Sequence, residues 1–180
     1  SVGTAVEGLT LGVVGLGKLG ARVAKVGAAF GMKVVAWSQN LTPEKAAAAG
    51  ATAVTKEELF AAADVVTLHL VLSERSRGIV GAAELARMKR TAVIVNTSRG
   101  PLIDQDALVA ALTEGRIGGA GLDVFDQEPL PPDHPLLACP NTVLTPHLGY
   151  VSTQNYRAYF AGAVEAIEAY LAGKPVRELT

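Results

Sequence analysis

The sequence predicts an α/β fold, a doubly wound parallel sheet with helices on both faces. Three observations predict it. Short apolar runs of strand length alternate with helix-length segments along the chain. Hydrophobic residues make up 49% of the chain and aromatic residues only 5%, which suits buried strands under Ala-rich helices better than an all-β design. A glycine-rich turn, Gly15-Leu16-Gly17-Lys18-Leu19-Gly20, falls between the first predicted strand and the first predicted helix.

Each element follows from its local pattern. Leu11 to Gly15 reads as a buried strand, and Lys18 to Phe30 as a helix with Leu19, Val23, Val26 and Phe30 as its spaced apolar positions. Lys33 to Trp37 is the second strand. Pro43 to Ala49 is a short helix closed by Gly50, a residue type favoured just past a helix C-terminus. Ala51 to Val54 is a short strand. Thr55 is an N-cap for Lys56 to Ala63, with Glu58 completing a capping box. Asp64 to Leu70 is a strand, Ala82 to Met88 a helix, and Ala92 to Asn96 a strand. Asp104 caps a helix running to about Thr113 and ended by Gly115. Gly118 to Val124 is a strand whose missing side chains suggest close packing or a nearby ligand. Thr142 to Thr145 is the last strand, and Asn155 to Leu171 a long closing helix. The Pro-rich loop from Gln127 to Pro140 breaks the rhythm, and such loops often carry function.

The length of 180 residues fits one domain with a sizeable core, so residues 1–180 read as a single domain. Sixteen basic and 17 acidic residues give a formal charge of −1 with no basic stripe, which excludes nucleic acid as the expected partner. No run reaches the ~18 apolar residues of a membrane span. The lone Cys139 reads as a small apolar filler in a reducing cytoplasm. No metal site is expected. The start, Ser1-Val2-Gly3-Thr4, has neither an initiator Met nor a signal pattern, and reads as a piece of a longer chain or a processed product.

The glycine turn matches the dinucleotide fingerprint. Gly15 permits the tight turn, Gly17 lets backbone approach a pyrophosphate, and Gly20 lets the helix pack on the strand. The helix start at Lys18 and Leu19 then offers N–H groups and a positive dipole end to the phosphates. Roughly 20 residues on, where NAD enzymes usually place an acid, the sequence reads Trp37-Ser38-Gln39-Asn40. There is no carboxylate for a ribose 2′-hydroxyl and no Arg for a 2′-phosphate. Ser38 and Gln39 can hydrogen-bond either cofactor, so these residues leave NAD against NADP open.

Beyond this turn the chain resembles the D-isomer-specific 2-hydroxyacid dehydrogenases. The resemblance runs from about Leu9 to Gly149. It is carried, in order, by Val95-Asn96-Thr97-Ser98-Arg99-Gly100, Ala107 to Leu112, Gly121-Leu122-Asp123-Val124-Phe125, Glu128-Pro129 and Thr145-Pro146-His147. It implies a Rossmann-type domain and an oxidoreductase that moves a hydride between NAD or NADP and a 2-oxo or 2-hydroxy acid. By the same resemblance Arg99 holds the substrate carboxylate, His147 is the general acid/base, and Glu128 orients and stabilises the imidazole. Asp123 bonds the nicotinamide carboxamide, and His69 and Thr97 lie on the cofactor side of the site. His134, between Asp133 and Pro135, reads as a surface turn.

The resemblance also implies a cytoplasmic homodimer. It implies that the substrate domain of the family is absent from this chain, which then binds cofactor but turns over little by itself. Two departures bear on the site, Val71 on the nicotinamide-side loop and Tyr150 on substrate choice. Val71 stands where the family usually has Pro, and Gly149-Tyr150-Val151 replaces the usual second Gly, placing Tyr150 at the pocket wall. Three other readings compete, one of them a structural interaction domain with a vestigial site. A formate dehydrogenase pairs its histidine with Gln, and Glu128 argues against it. A co-repressor-like module would keep the triad and use the nucleotide only as a ligand.

Overall fold

Seven strands lie parallel in one sheet: β1 (Thr10–Val14), β2 (Lys33–Trp37), β3 (Thr52–Ala53), β4 (Val65–Leu68), β5 (Val93–Asn96), β6 (Gly119–Leu122) and β7 (Thr142–Leu144). Their order is β3-β2-β1-β4-β5-β6-β7. The computed structural model describes residues 3–178; the Ser1-Val2 start lies outside them. The chain winds one way from β1 and then the other, so the order reverses between β1 and β4. In open parallel sheets this switch point is where ligands bind.

The helices are α1 (Lys18–Ala29), α2 (Pro43–Ala48), α3 (Lys56–Ala62), α4 (Ala82–Arg87), α5 (Gln105–Thr113) and α6 (Thr153–Leu171). Both faces of the sheet are covered, as predicted. Leu11 and Val13 of β1 meet Val34 and Ala36 of β2 and Ala24 of α1 on one face. Val14, Val66, Leu68 and Ile94 turn to the other face. There they join Leu59 and Phe60 of α3, Leu85 of α4 and Leu108 of α5 in the larger core. Among the described residues no helix is long and apolar enough to cross a membrane.

The predicted caps form. Thr55 and Glu58 close the capping box of α3, with Glu58 N donating to Thr55 Oγ1 at 3.2 Å and Thr55 N to Glu58 Oε2 at 2.8 Å. Asp104 Oδ1 accepts from Ala107 N at 3.1 Å to start α5. Boundaries shift slightly. β4 stops at Leu68 and β6 at Leu122, so His69 and Asp123 sit just past strand ends. α6 starts at Thr153, because the Ser152 hydroxyl accepts from Asn155 N at 3.2 Å. Cys139 is buried, as a small core filler should be.

One reading changes and another is extended. Of the spaced apolar residues on α1, only Val23 packs against the core. Leu19, Val26 and Phe30 are 64%, 55% and 64% exposed, while Gly20, Ala24 and Gly27 are buried. The helix lies too close to the sheet for larger side chains: a Cβ on Gly27 would stand 2.5 Å from Leu11 Cδ2. His134 is more than a surface turn. It is half-buried, and its Nδ1 accepts from Leu136 N at 3.2 Å, capping a short 3-10 helix at Pro135–Ala138.

Contacts divide the chain into a unit ending at Pro146, which holds the sheet, and a unit beginning at His147. The second is α6 with the loop before it and the tail after it. Asn155 Nδ2 donates to Tyr150 O at 2.7 Å, tying the loop to the first turn of α6. Arg177 folds back along the helix, donating to Gly162 O at 2.9 Å and pairing with Glu165.

The sheet end opposite the strand carboxyl termini is fastened by Asp64. Its carboxylate accepts from Thr10 N at 2.8 Å and from Lys89 Nζ at 2.6 Å. Burial works to raise the Asp64 carboxyl. The bonds from Lys89 and Thr10, with the Lys89 charge, outweigh it and hold the group below its ordinary value. A depressed carboxylate stabilises the fold above its unfolded value, ~3.9, and that contribution is lost as pH falls through the lower folded value. Asp64→Ala should therefore cost about 1–3 kcal/mol at pH 7. The gap to wild type should shrink below about pH 4. Urea unfolding at pH 7 and pH 3 checks this; a gap independent of pH would rule out a role for the charge.

Candidate functional site

The turn after β1 is shaped by steric necessity. Gly15 has φ +98, and a Cβ there would lie 2.6 Å from His69 O. A Cβ on Gly20 would collide with the Gly15 carbonyl oxygen. Both positions thus need glycine for packing within the protein. Gly17 does not: a Cβ there meets no protein atom within 4 Å, and its φ of −82 suits any residue. Open space above Gly17 fits the close approach of a phosphate group.

The first turn of α1 agrees. Gly17 is the N-cap, no side chain caps the helix, and no acidic residue lies in the first turn. Lys18 places positive charge where the helix dipole disfavours it. An anionic ligand would reverse that penalty and satisfy the uncapped N–H groups.

A cleft of about 570 Å³ opens beside this turn at the switch point. It brings together Gly15, Gly17, Ser38, Gln39 and His69, five of the ten residues expected at the cofactor. Lys18, Leu19 and Gly20 form the adjoining first helical turn and do not line it, and the Leu19 side chain points to solvent. Thr97 and Asp123 lie outside the lining, past the ends of β5 and β6.

The walls of the cleft are organised by hydrogen bonds. Leu16 N donates to Ser38 Oγ at 2.9 Å, tying the turn after β1 to the end of β2. His69 Nε2 lies 3.0 Å from Thr67 Oγ1, and burial lowers the histidine below its ordinary value, so the ring is neutral at pH 7. Ser76 holds the next loop: its hydroxyl donates to Val71 O at 2.7 Å and accepts from Ser73 N at 2.8 Å. Val71 itself is 85% exposed and lines the cleft.

Arg99 and Glu128 stand on two loops of the sheet unit that are locked together. Asn96, 1% exposed at the end of β5, organises the first loop. Its side chain donates to Arg99 O at 2.8 Å and accepts from Ser98 N at 3.0 Å. Ser98 Oγ donates to Leu68 O at 2.7 Å. The Arg99 guanidinium is exposed and donates to Ser98 O at 2.6 Å. Gly100 then presses on the Phe125 backbone so tightly that any Cβ would collide with it. Phe125 N donates to Glu128 Oε1 at 2.9 Å, fixing the Glu128 loop from the same residue. Asp123, 6% exposed, accepts from Thr145 Oγ1 at 2.6 Å. Burial raises the Asp126 carboxyl above its ordinary value, with nearby Asp104 and Asp106 adding to the rise and Arg77 and His134 opposing it.

His147 belongs to the second unit. Its backbone has φ +57, a left-handed conformation uncommon outside glycine. Strain of this kind concentrates at functional positions. Its ring meets Tyr150 edge-on, with centroids 5.9 Å apart at 79°. Tyr150 thus packs against the histidine within this unit.

Three residues had escaped the sequence reading. Asn96 was legible as the one polar residue closing an apolar strand. Lys45 and Arg75 line the cleft from α2 and from the loop after β4, and nothing local in the sequence marks them.

Comparison with known proteins agrees with this geometry. Residues 1–149 match the family model described as D-isomer specific 2-hydroxyacid dehydrogenase, NAD binding domain. The chain is 41% identical over 173 residues to a glyoxylate reductase of Aeropyrum pernix, covering 96% of this chain and 52% of the relative. A crystal structure of a phosphoglycerate oxidoreductase from Vibrio cholerae superposes with a TM-score of 0.90 at 40% identity, over 96% of this chain and 56% of that one. An acyclic imino acid reductase in complex with NADPH and D-Arg superposes with a TM-score of 0.80 at 32% identity, over 99% of this chain and 56% of that one. The chain thus spans about half the length of the relatives it matches.

The contrast between two glycines tests the site. Gly17→Ala should leave stability within about 0.5 kcal/mol of wild type while weakening dinucleotide binding. Gly20→Ala should lose both, because the helix must move off the turn. Thermal unfolding and nucleotide titration separate the two; full binding by Gly17→Ala would deny the turn a phosphate role.

Proposed function

The chain belongs to the D-isomer specific 2-hydroxyacid dehydrogenase family, and from that premise we propose that it is the cofactor-binding, acid–base half of an oxidoreductase acting on a 2-oxo or 2-hydroxy acid. The observation that carries the reading is the pairing of two features at one sheet edge. The cleft at the switch point has a turn open to phosphate, and the exposed Arg99 is held beside the strand ends by Asn96.

We assign Gly15, Gly17, Lys18, Leu19 and Gly20 to the pyrophosphate, Ser38 and Gln39 to the adenosine ribose, and His69, Thr97 and Asp123 to the nicotinamide end. The nicotinamide, when bound, supplies hydride exchange with the second carbon of the substrate. The residues supply the rest. Arg99 binds the substrate carboxylate through its planar guanidinium. His147 gives a proton to the carbonyl oxygen in reduction and takes it from the hydroxyl in oxidation. Glu128 favours the protonated imidazole. A carboxylate in this role favours the hydroxyacid reaction over formate oxidation, and relatives named for small 2-oxo acid chemistry favour it over a binding-only module. We further propose a substrate domain outside this chain, a cytoplasmic location, and a homodimer, the last supported by the exposed row Leu19, Val26 and Phe30 on α1.

The test uses the full-length gene product and a panel of 2-oxo acids. His147→Ala should lower kcat by roughly 10²–10⁴-fold with cofactor affinity unchanged; equal loss of cofactor binding would make the residue structural. Arg99→Lys should lower kcat/KM roughly tenfold or more, since it removes the forked donor. A wild-type profile there would end the carboxylate assignment.

A further inference from the structure

We infer that the cleft is built for a 2′-phosphorylated dinucleotide, so that NADP(H) binds in preference to NAD(H), with Lys45 and Arg75 supplying the charge. The inference rests on the dinucleotide reading above and deepens it.

The first step concerns the end of β2. An enzyme that selects the unphosphorylated ribose places a carboxylate there to accept from the diol, and that carboxylate repels a 2′-phosphate. Here Ser38 takes the position. Its Oγ accepts from Leu16 N at 2.9 Å, which leaves its own proton to be donated into the cleft. Gln39 and Asn40 are exposed on the same wall and add amide N–H donors. A wall of donors suits phosphate oxygens, which only accept.

The second step is the charge. Lys45 and Arg75 both line this cleft, and no Asp or Glu does. Among the described residues neither cation has a carboxylate within salt-bridge distance. They come from different elements. Lys45 sits on α2, anchored by the Thr42 cap. Arg75 sits on the loop that buried Ser76 braces. Glu44 and Glu74, their chain neighbours, do not line the cleft, and Glu57 and Glu58 line an adjoining depression that shares Trp37, Ser38, Gln39 and Leu41 with it. Glu58 is engaged by Thr55 N, and the neighbouring Lys56 is paired with Glu84 at 2.8 Å. Two positive charges therefore line the cleft, and no carboxylate does. A phosphate monoester, carrying about −1.5 to −2 charges at pH 7, matches that distribution; a neutral diol does not.

The experiment is direct binding to the full chain. NADPH and NADH are titrated by fluorescence, and adenosine 2′,5′-bisphosphate and 5′-AMP by calorimetry. The expected result is a preference for the phosphorylated member of each pair of roughly tenfold or more. Lys45→Ala and Arg75→Ala should each remove most of that preference, with NADH affinity changed by less than about twofold. The preference should also shrink with added salt. Unfolding midpoints of the variants confirm that these exposed substitutions leave the fold intact. Binding of NADH as tight as or tighter than NADPH overturns this inference and leaves the dinucleotide site standing. A preference unaffected by both substitutions overturns the roles of Lys45 and Arg75. Failure of all four nucleotides to bind overturns the dinucleotide reading itself.

Discussion

The architecture turns on one close approach, the stacking of Gly20 directly on the Gly15 carbonyl. This contact sets the distance between α1 and β1. It forces the rest of the α1 inner face to be small, which is why Ala24 and Gly27 follow Gly20 there. Gly15 is in turn pressed against the His69 backbone at the end of β4. Two glycines thereby hold β1, α1 and β4 together where the strand order reverses. Few side-chain atoms enter that junction, so space is left over it. The same contact that makes the fold compact at this point makes room for a ligand.

A second lock of the same kind lies across the sheet. Gly100 against Phe125 joins the loop after β5 to the loop after β6. Asn96 adds polar bonds to both sides: its side chain holds the 98–99 backbone, and its carbonyl accepts from Asp123 N at 3.0 Å. A buried amide that both donates and accepts is rigid, since each broken bond would leave a polar group unpaired in the core. Arg99 and Glu128 thus owe their placement to residues that have no part in the chemistry assigned to them. Long exposed side chains stay mobile at their tips, but their backbone anchors here are fixed.

Much of this was legible in the sequence, for identifiable reasons. Parallel strands buried on both faces leave continuous apolar runs, and the Thr55–Glu58 and Asp104 caps are strictly local patterns, so both were readable. The facing of α1 was not. Periodicity marks Leu19, Val26 and Phe30 as one stripe, but it does not say whether the stripe or the small residues meet the sheet. That choice was made by the Gly20–Gly15 contact, a tertiary distance. The capping role of His134, accepting from Leu136 N, was not legible because it depends on a 3-10 turn with no periodic signal. Lys45 and Arg75 are thirty residues apart and share a cleft only because β2 and β4 flank β1. The site loops were read through family resemblance, and their individual residues would not have been separable from ordinary turn chemistry.

The parallel sheet also explains why so many candidate residues cluster. Every strand of the sheet unit points the same way, so each carboxyl end delivers its following loop to one edge. β1 delivers Gly15, β2 Ser38, β4 His69, β5 Arg99 and β6 Asp123. The opposite edge carries Asp64 with Thr10 and Lys89, a structural fastening. Chemistry and stability are therefore segregated along the strand axis. Loops at the carboxyl edge can vary in length and charge without loosening the fastened end. In such a fold the identity of the ligand is written in loop residues, and the sheet fixes only where they meet.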